Sequence, residues 1–331
     1  RFSTFGEKKS KRIHHNNTLN FYLLTLALGL GTWKSEKDKT AEAVFHAIKS
    51  GYRHIDCAFC YENQDEVGSG IAKAIDEGIV TREQLFITSK LWITHLHRED
   101  VEANLRETLS QLSLEYLDLF LIHWPYPLKK VDPYVIFPED ENGTSLADPE
   151  GVNLKETWGV MEEMVESGLI KSIGISNFTQ EQIGDILDGC RIKPVCNQIE
   201  CHPFLNQAKL KQYMDSQDIK LVAYSPFGNY FPGTGLMESP MENETLKALA
   251  KSRGKTCAQL ILRWQLQRGN IAIPKSVTPS RIEENANIMD FELSSAEMET
   301  INVLGLKNIR YCNPDFRPNG ELAFPGETTA F

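Results

Sequence analysis

The sequence predicts an α/β fold, a (β/α)₈ barrel of the TIM type with long loops at its carboxyl-terminal face. Three observations predict it. Short apolar runs alternate with segments of helical apolar spacing almost throughout the 331 residues. The runs lack a clean polar–apolar alternation, which suits strands buried on both faces of a parallel sheet. Polar residues also cluster at the carboxyl ends of these runs: Asp56, Lys90, His123, Asn177, Gln198, Tyr224 and Lys275. A closed barrel of eight parallel strands gathers groups placed in that way into one site.

The first strand is expected within the apolar run Leu19 to Gly31, and the second at His54-Ile55-Asp56. The next three are Leu85-Phe86-Ile87, Leu117 to Ile122 and Ile170 to Ile175; the last three are Val195 to Ile199, Lys220 to Tyr224 and Asn270 to Ile273. Helical spacing is carried by Ala41, Val44, Phe45 and Ile48, and by Val67, Ile71, Ala74 and Ile75. It recurs at Val101, Leu105, Leu109 and Leu112, and at Leu154, Trp158, Met161 and Val165. Gly51 and Gly168 stand where a left-handed helix cap is wanted. A doubly wound dinucleotide fold would need G-x-G-x-x-G after its first strand. Gly29-Leu30-Gly31 lacks the third glycine, and Gly68-Ser69-Gly70 falls inside a helical segment.

One barrel takes about 250 residues before insertions. The chain is therefore read as a disordered tail over 1–18 and one barrel domain over 19–331, ending in an irregular tail over 306–331. Two segments exceed ordinary loops, Pro125 to Asn153 and Ser225 to Pro240. Both follow the carboxyl end of a strand, where long insertions form a substrate mouth or lid.

The net charge of −10, with no basic stripe, argues against nucleic acid and anionic membranes as partners. Lys8, Lys9, Lys11 and Arg12 before the apolar run Leu19 to Gly31 give it the charge order of a signal peptide. The run is too short to span a bilayer, and no small-residue cleavage site follows it. Cleavage would also remove the first strand, so the run is read as buried. The chain opens on Arg1, which leaves room for residues upstream. Seven scattered cysteines form no disulfide framework and point to a reducing, cytoplasmic compartment. Cys57 and Cys60 are read as two small apolar side chains, with a redox pair as the sharper alternative. His95-Leu96-His97 has metal-like spacing but no partner set by sequence, so no metal site is expected.

The ordered motifs resemble those of the aldo-keto reductase family from Gly29 to about Asp290. They include Asp56…Tyr61, Thr88-Ser89-Lys90-Leu91-Trp92, His123-Trp124-Pro125 and Gly174-Ile175-Ser176-Asn177-Phe178. Further on come Asn197-Gln198-Ile199-Glu200-Cys201-His202-Pro203, Tyr224-Ser225-Pro226 and Ile273-Pro274-Lys275-Ser276, followed by Arg281, Glu284 and Asn285. The resemblance implies a barrel enzyme, monomeric and cytoplasmic, that reduces aldehydes and ketones with NADPH. It also leaves open a cofactor-binding regulatory or structural protein on the same barrel.

Hydride addition to a carbonyl builds negative charge on oxygen, and a proton must arrive there. A phenol's ordinary pKa is near 10. Tyr61 is thus expected as general acid, its pKa lowered by the Lys90 ammonium, with Asp56 holding that lysine. His123 is expected to orient the substrate oxygen. By resemblance these four match the family's catalytic residues. The resemblance places the cofactor against Tyr224, Ser225 and Phe227. Its carboxamide falls to Ser176, Asn177 and Gln198, with Thr32, Trp33 and Asp56 close by. Lys275, Ser276 and Arg281 would grip a 2′-phosphate, with Glu284 and Asn285 at the adenine. Trp33, Trp92 and Trp124 would line the substrate pocket beside His123; packing at the barrel rim is the alternative. The chain departs from the family at Leu23 to Leu28, where relatives begin with a hairpin, and at Phe227, where many have leucine. Its tail matches no subgroup, so the carbonyl substrate stays open.

Overall fold

The computed structural model describes residues 26–228, 238–325 and 328–329. The expected tail over 1–18, and most of the run Leu19 to Gly31, lie outside them. Eight strands form one sheet in sequence order: β1 (Gly29–Gly31), β2 (His54–Asp56), β3 (Phe86–Leu91), β4 (Leu119–Ile122), β5 (Ile173–Ser176), β6 (Cys196–Glu200), β7 (Lys220–Tyr224) and β8 (Ile271–Ala272). Every neighbouring pair is parallel. The sheet closes on itself. Parallel bridges join Leu28 to Ala272 and Gly31 to Lys275, and the Gly31 amide donates to the Pro274 carbonyl at 3.0 Å. A Cβ at Gly31 would sit 2.8 Å from the Ile273 carbonyl oxygen, so the seam needs glycine there.

The strands are buried on both faces, as the unbroken apolar runs predicted. Leu119, Leu121, Cys196, Val222 and Ile273 form a cluster of their own. Neighbours of opposite parity, Phe120, Ile122, Ile175 and Ile199, belong to the larger cluster under the helices. Period-two alternation in a closed parallel sheet has this consequence: one parity fills the barrel and the other meets the helices.

The helix spacing also holds. The predicted segments become α1 (Thr40–Lys49), α2 (Gln64–Asp76), α3 (Val101–Leu112) and α4 (Leu154–Glu166). Gly51 and Gly168 follow their helices with φ of +102° and +81°. The glycines inside α2 have a packing reason: Cβ atoms there would lie 2.4 Å from the Leu112 carbonyl oxygen (Gly68) and 2.5 Å from that of Ala41 (Gly70). They let two neighbouring segments approach α2 closely, and no phosphate loop is involved.

Both long insertions leave the carboxyl ends of their strands, after β4 and β7. The first is tied down by the Trp92 indole, whose Nε1 donates to the Ile136 carbonyl at 2.6 Å. Asp315, from the tail, accepts from the Ser145 hydroxyl at 2.7 Å and joins that insertion to the carboxyl-terminal segment. Of the second, residues 229–237 lie outside the described residues. No helix among those described is long and apolar enough to cross a membrane.

Candidate active site

Asp56 ends β2, and the chain then enters a single 3₁₀ turn, Phe59–Tyr61, that carries the phenol back over the barrel. Glu62 follows with φ +54° and ends that turn. Lys90 and Gln198 were expected at strand ends but lie within β3 and β6, so their side chains rise from inside the barrel. The Lys90 Nζ, fully buried, donates to Asp56 Oδ1 at 2.6 Å, to the Cys57 carbonyl at 2.9 Å and to Tyr61 Oη at 3.3 Å. The second Asp56 oxygen accepts from Gln198 Nε2 at 2.7 Å. The Thr32 hydroxyl fixes the turn by donating to the Asp56 carbonyl at 3.0 Å.

His123 follows β4 and faces the Tyr61 ring with centroids 5.8 Å apart. Burial, with the Lys90 charge adding to it, holds its imidazole well below the ordinary histidine range, so the ring is neutral. Its Nδ1 stands 3.6 Å from Cys60 Sγ, a thiol that burial pushes up and keeps protonated. We therefore assign the thiol as donor to Nδ1, which leaves the ring hydrogen on Nε2. All seven cysteines are unpaired thiols, Cys57 and Cys60 among them.

One sequence expectation is corrected here. Lys90 was expected to lower the phenol's pKa, but Tyr61 is raised well above the ordinary tyrosine value, first by burial and then by the Asp56 charge. The ammonium is neutralised by its carboxylate partner at 2.6 Å, so little net charge remains to offset desolvation. A phenol in that state keeps its proton until a strong base forms beside it. Neutral His123 and neutral Tyr61 then predict a reductive kcat/KM that varies less than about threefold from pH ~6 to ~8. A titration with a midpoint inside that window would mean the lysine outweighs burial.

These groups open into a cavity of about 670 Å³. Asp56, Tyr61, His123, Asn177 and Gln198 line it with Thr32, Trp33, Trp92, Trp124, Tyr224, Ser225, Phe227, Lys275 and Arg281. Asn177, at φ +65°, is held by its own bonds: Nδ2 donates to the His123 carbonyl at 3.0 Å, and Oδ1 accepts from Tyr224 Oη at 2.9 Å. Ser176, Ser276, Glu284 and Asn285 do not line the cavity. Ser176 donates to the Gln198 carbonyl, Ser276 accepts from the Thr278 amide, and Glu284 accepts from the Thr256 hydroxyl. Asn285 is buried.

Sequence reasoning missed several lining groups, namely Lys34, Phe137, Gly228, Cys312, Pro314 and Phe316, and reached Cys60 only through the redox-pair alternative. Phe137 packs edge-on against Trp92 at 5.0 Å, and Phe316 against Trp124 at 5.5 Å. The first insertion and the tail were legible as walls; which of their aromatics turn inward was not. His97 pairs with Asp148 at 2.6 Å, and among the described residues no group of three acidic, histidine or cysteine side chains is placed to hold a metal.

The aldo/keto reductase family model matches residues 25–305. The chain belongs to the aldo/keto reductase family. It is 45% identical to aldo-keto reductase family 1 member A1 of Xenopus tropicalis over 298 residues, 89% of each chain. To the Homo sapiens protein of that name it is 44% identical over 297 residues, 89% of this chain and 90% of the other. The structure of an aldose reductase from Schistosoma japonicum superposes with a TM-score of 0.79 at 44% identity, covering 85% of this chain and 88% of that one. This aldo/keto reductase is thus an oxidoreductase of carbonyl compounds, and its family works with a nicotinamide cofactor.

Proposed function

We propose that this aldo/keto reductase reduces aldehydes and ketones to alcohols with NADPH, and that Tyr61 is the proton donor. The observation that carries the reading is the Lys90 ammonium, 2.6 Å from Asp56 and 3.3 Å from the Tyr61 hydroxyl, buried directly behind these two residues where they line an aromatic cavity. When bound, NADPH supplies the hydride. The chain's own residues serve the oxygen end. His123 Nε2–H orients the carbonyl oxygen, and the Tyr61 hydroxyl gives up its proton as that oxygen gains charge. Lys90 stabilises the phenolate left behind, and Asp56, held by Gln198, keeps the lysine charged and aimed. Trp33, Trp92, Trp124 and Phe316 keep water away and offer flat apolar walls to a substrate. The donor set fits the cofactor too. Two cations, Lys275 and Arg281, share the cavity with the Asn177 and Gln198 amides and the flat Tyr224 ring. Aldo-keto reductase and aldose reductase names among the relatives support the reaction class. Unpaired cysteines support a reducing, cytoplasmic compartment.

Consumption of NADPH with a generic aromatic aldehyde tests the reading. Tight NADPH binding without any turnover would favour the regulatory or structural alternative. Lys275→Met tests cofactor choice. Lys275 is exposed at the edge of the cavity, with Glu36 supplying the nearby negative charge, and a 2′-phosphate adds a stronger partner. The variant is expected to weaken NADPH by about tenfold or more, as for a lost charge-assisted contact, and to change NADH little. Equal losses for the two would remove Lys275 from that role.

A further inference from the structure

Glu200 ends β6, is fully buried and does not line the cavity. Four donors surround its carboxylate. Oε1 accepts from the Tyr311 amide at 2.8 Å and stands 2.9 Å from His202 Nε2. Oε2 accepts from the Cys312 amide at 2.9 Å, with the Arg310 guanidinium 3.7 Å away. A buried carboxylate is costly unless donors satisfy it, and here two of the donors are main-chain amides of the carboxyl-terminal segment. Directly beyond them, Cys312, Pro314 and Phe316 form part of the cavity wall.

Tyr311 also reaches the other way. Its hydroxyl donates to the Glu238 carbonyl at 2.7 Å. Its ring lies so close to Gly228 that a Cβ there would come within 2.9 Å of Cε2 and 3.0 Å of Pro240 Cδ. Phe227 and Gly228 line the same cavity. One side chain therefore joins the segment after β7 to the tail, and both rest on one buried carboxylate.

We propose that Glu200 is a positioning residue that pins the tail as a substrate wall and, through Tyr311, couples that wall to the Phe227–Gly228 segment on the cofactor side. The kinetic part of this rests on the reductase reading; the structural part does not. Glutamine at 200 keeps the shape but carries one acceptor oxygen and one NH₂. Whichever way it turns, the NH₂ faces donors: the Tyr311 amide and His202, or the Cys312 amide and Arg310.

The test compares Glu200→Gln and Tyr311→Phe with the wild-type chain. In Glu200→Gln, protection of the Tyr311 and Cys312 amides from hydrogen exchange is expected to fall by about tenfold or more. KM for a bulky aromatic aldehyde should rise about tenfold, while kcat and KM for propanal stay within about twofold. Simple destabilisation would instead depress both substrates alike through a smaller active fraction. In Tyr311→Phe, NADPH followed by quenching of tryptophan fluorescence should dissociate about threefold faster or more. Unchanged amide exchange in Glu200→Gln, equal losses for both aldehydes, or unchanged NADPH release in Tyr311→Phe would overturn the proposal. If Glu200→Gln does not fold, the Tyr311→Phe release rate decides. If the wild-type chain reduces neither aldehyde, the reductase reading has failed and amide exchange alone decides whether Glu200 pins the tail.

Discussion

Tyr61→Phe is expected to lose roughly 10²- to 10⁴-fold in kcat, the usual cost of removing a positioned general acid. NADPH affinity should change little, because the ring remains and only its hydroxyl goes. The phenol's burial makes the prediction sharp: it is the hydroxyl that Lys90 Nζ reaches at 3.3 Å, and the neutral His123 ring stands against it. Single-turnover reduction of an aromatic aldehyde, with NADPH affinity measured separately by fluorescence, separates the two effects. Wild-type turnover in the variant would remove Tyr61 from the role of acid. Loss of NADPH binding in parallel would mean the hydroxyl serves the pocket's structure.

Lys90→Met is expected to be the most damaging single change to stability. It leaves the Asp56 carboxylate buried with the Gln198 amide and no cation. Breaking a buried pair by removing one partner costs about 3–5 kcal/mol, whereas replacing both partners with uncharged groups is often neutral. The double variant Asp56→Asn, Lys90→Met should therefore recover at least about half of the loss while remaining inactive. Denaturant midpoints for the two singles and the double make the comparison. A single variant within about 1 kcal/mol of wild type would show that the pair is not held as a buried unit.

How much of this was legible beforehand depends on the range over which each signal acts. The eight strands were readable because two-sided burial leaves continuous apolar runs. Several helix ends were readable because a left-handed cap calls for glycine, as at Gly51 and Gly168. Strand edges were less so: β3 begins at Phe86 and runs to Leu91, beyond the expected Leu85 to Ile87. Its polar residues Thr88, Ser89 and Lys90 hide the strand from an apolar count. That Asp56, Tyr61, Lys90 and His123 would come together was readable through their order along the chain and through family resemblance. Of the expected cofactor residues, Ser176, Ser276, Glu284 and Asn285 do not line the cavity, since their polar groups or positions are taken up in local packing and hydrogen bonds.

The sequence by itself determined the architecture, because hydrophobic period and turn chemistry are local and repeat eight times. It also determined which residue types meet at the barrel mouth, since strand order carries them there. Only the tertiary structure decided the sign of the Tyr61 shift, because desolvation depends on everything packed around the phenol and not on the nearest charge alone. It also decided that Phe137 and Phe316 close the pocket. And it decided that Glu200, an ordinary strand-end residue in the sequence, meets amides more than a hundred residues away. Contacts of that range are set by how the tail returns over the barrel, and no local pattern encodes that path.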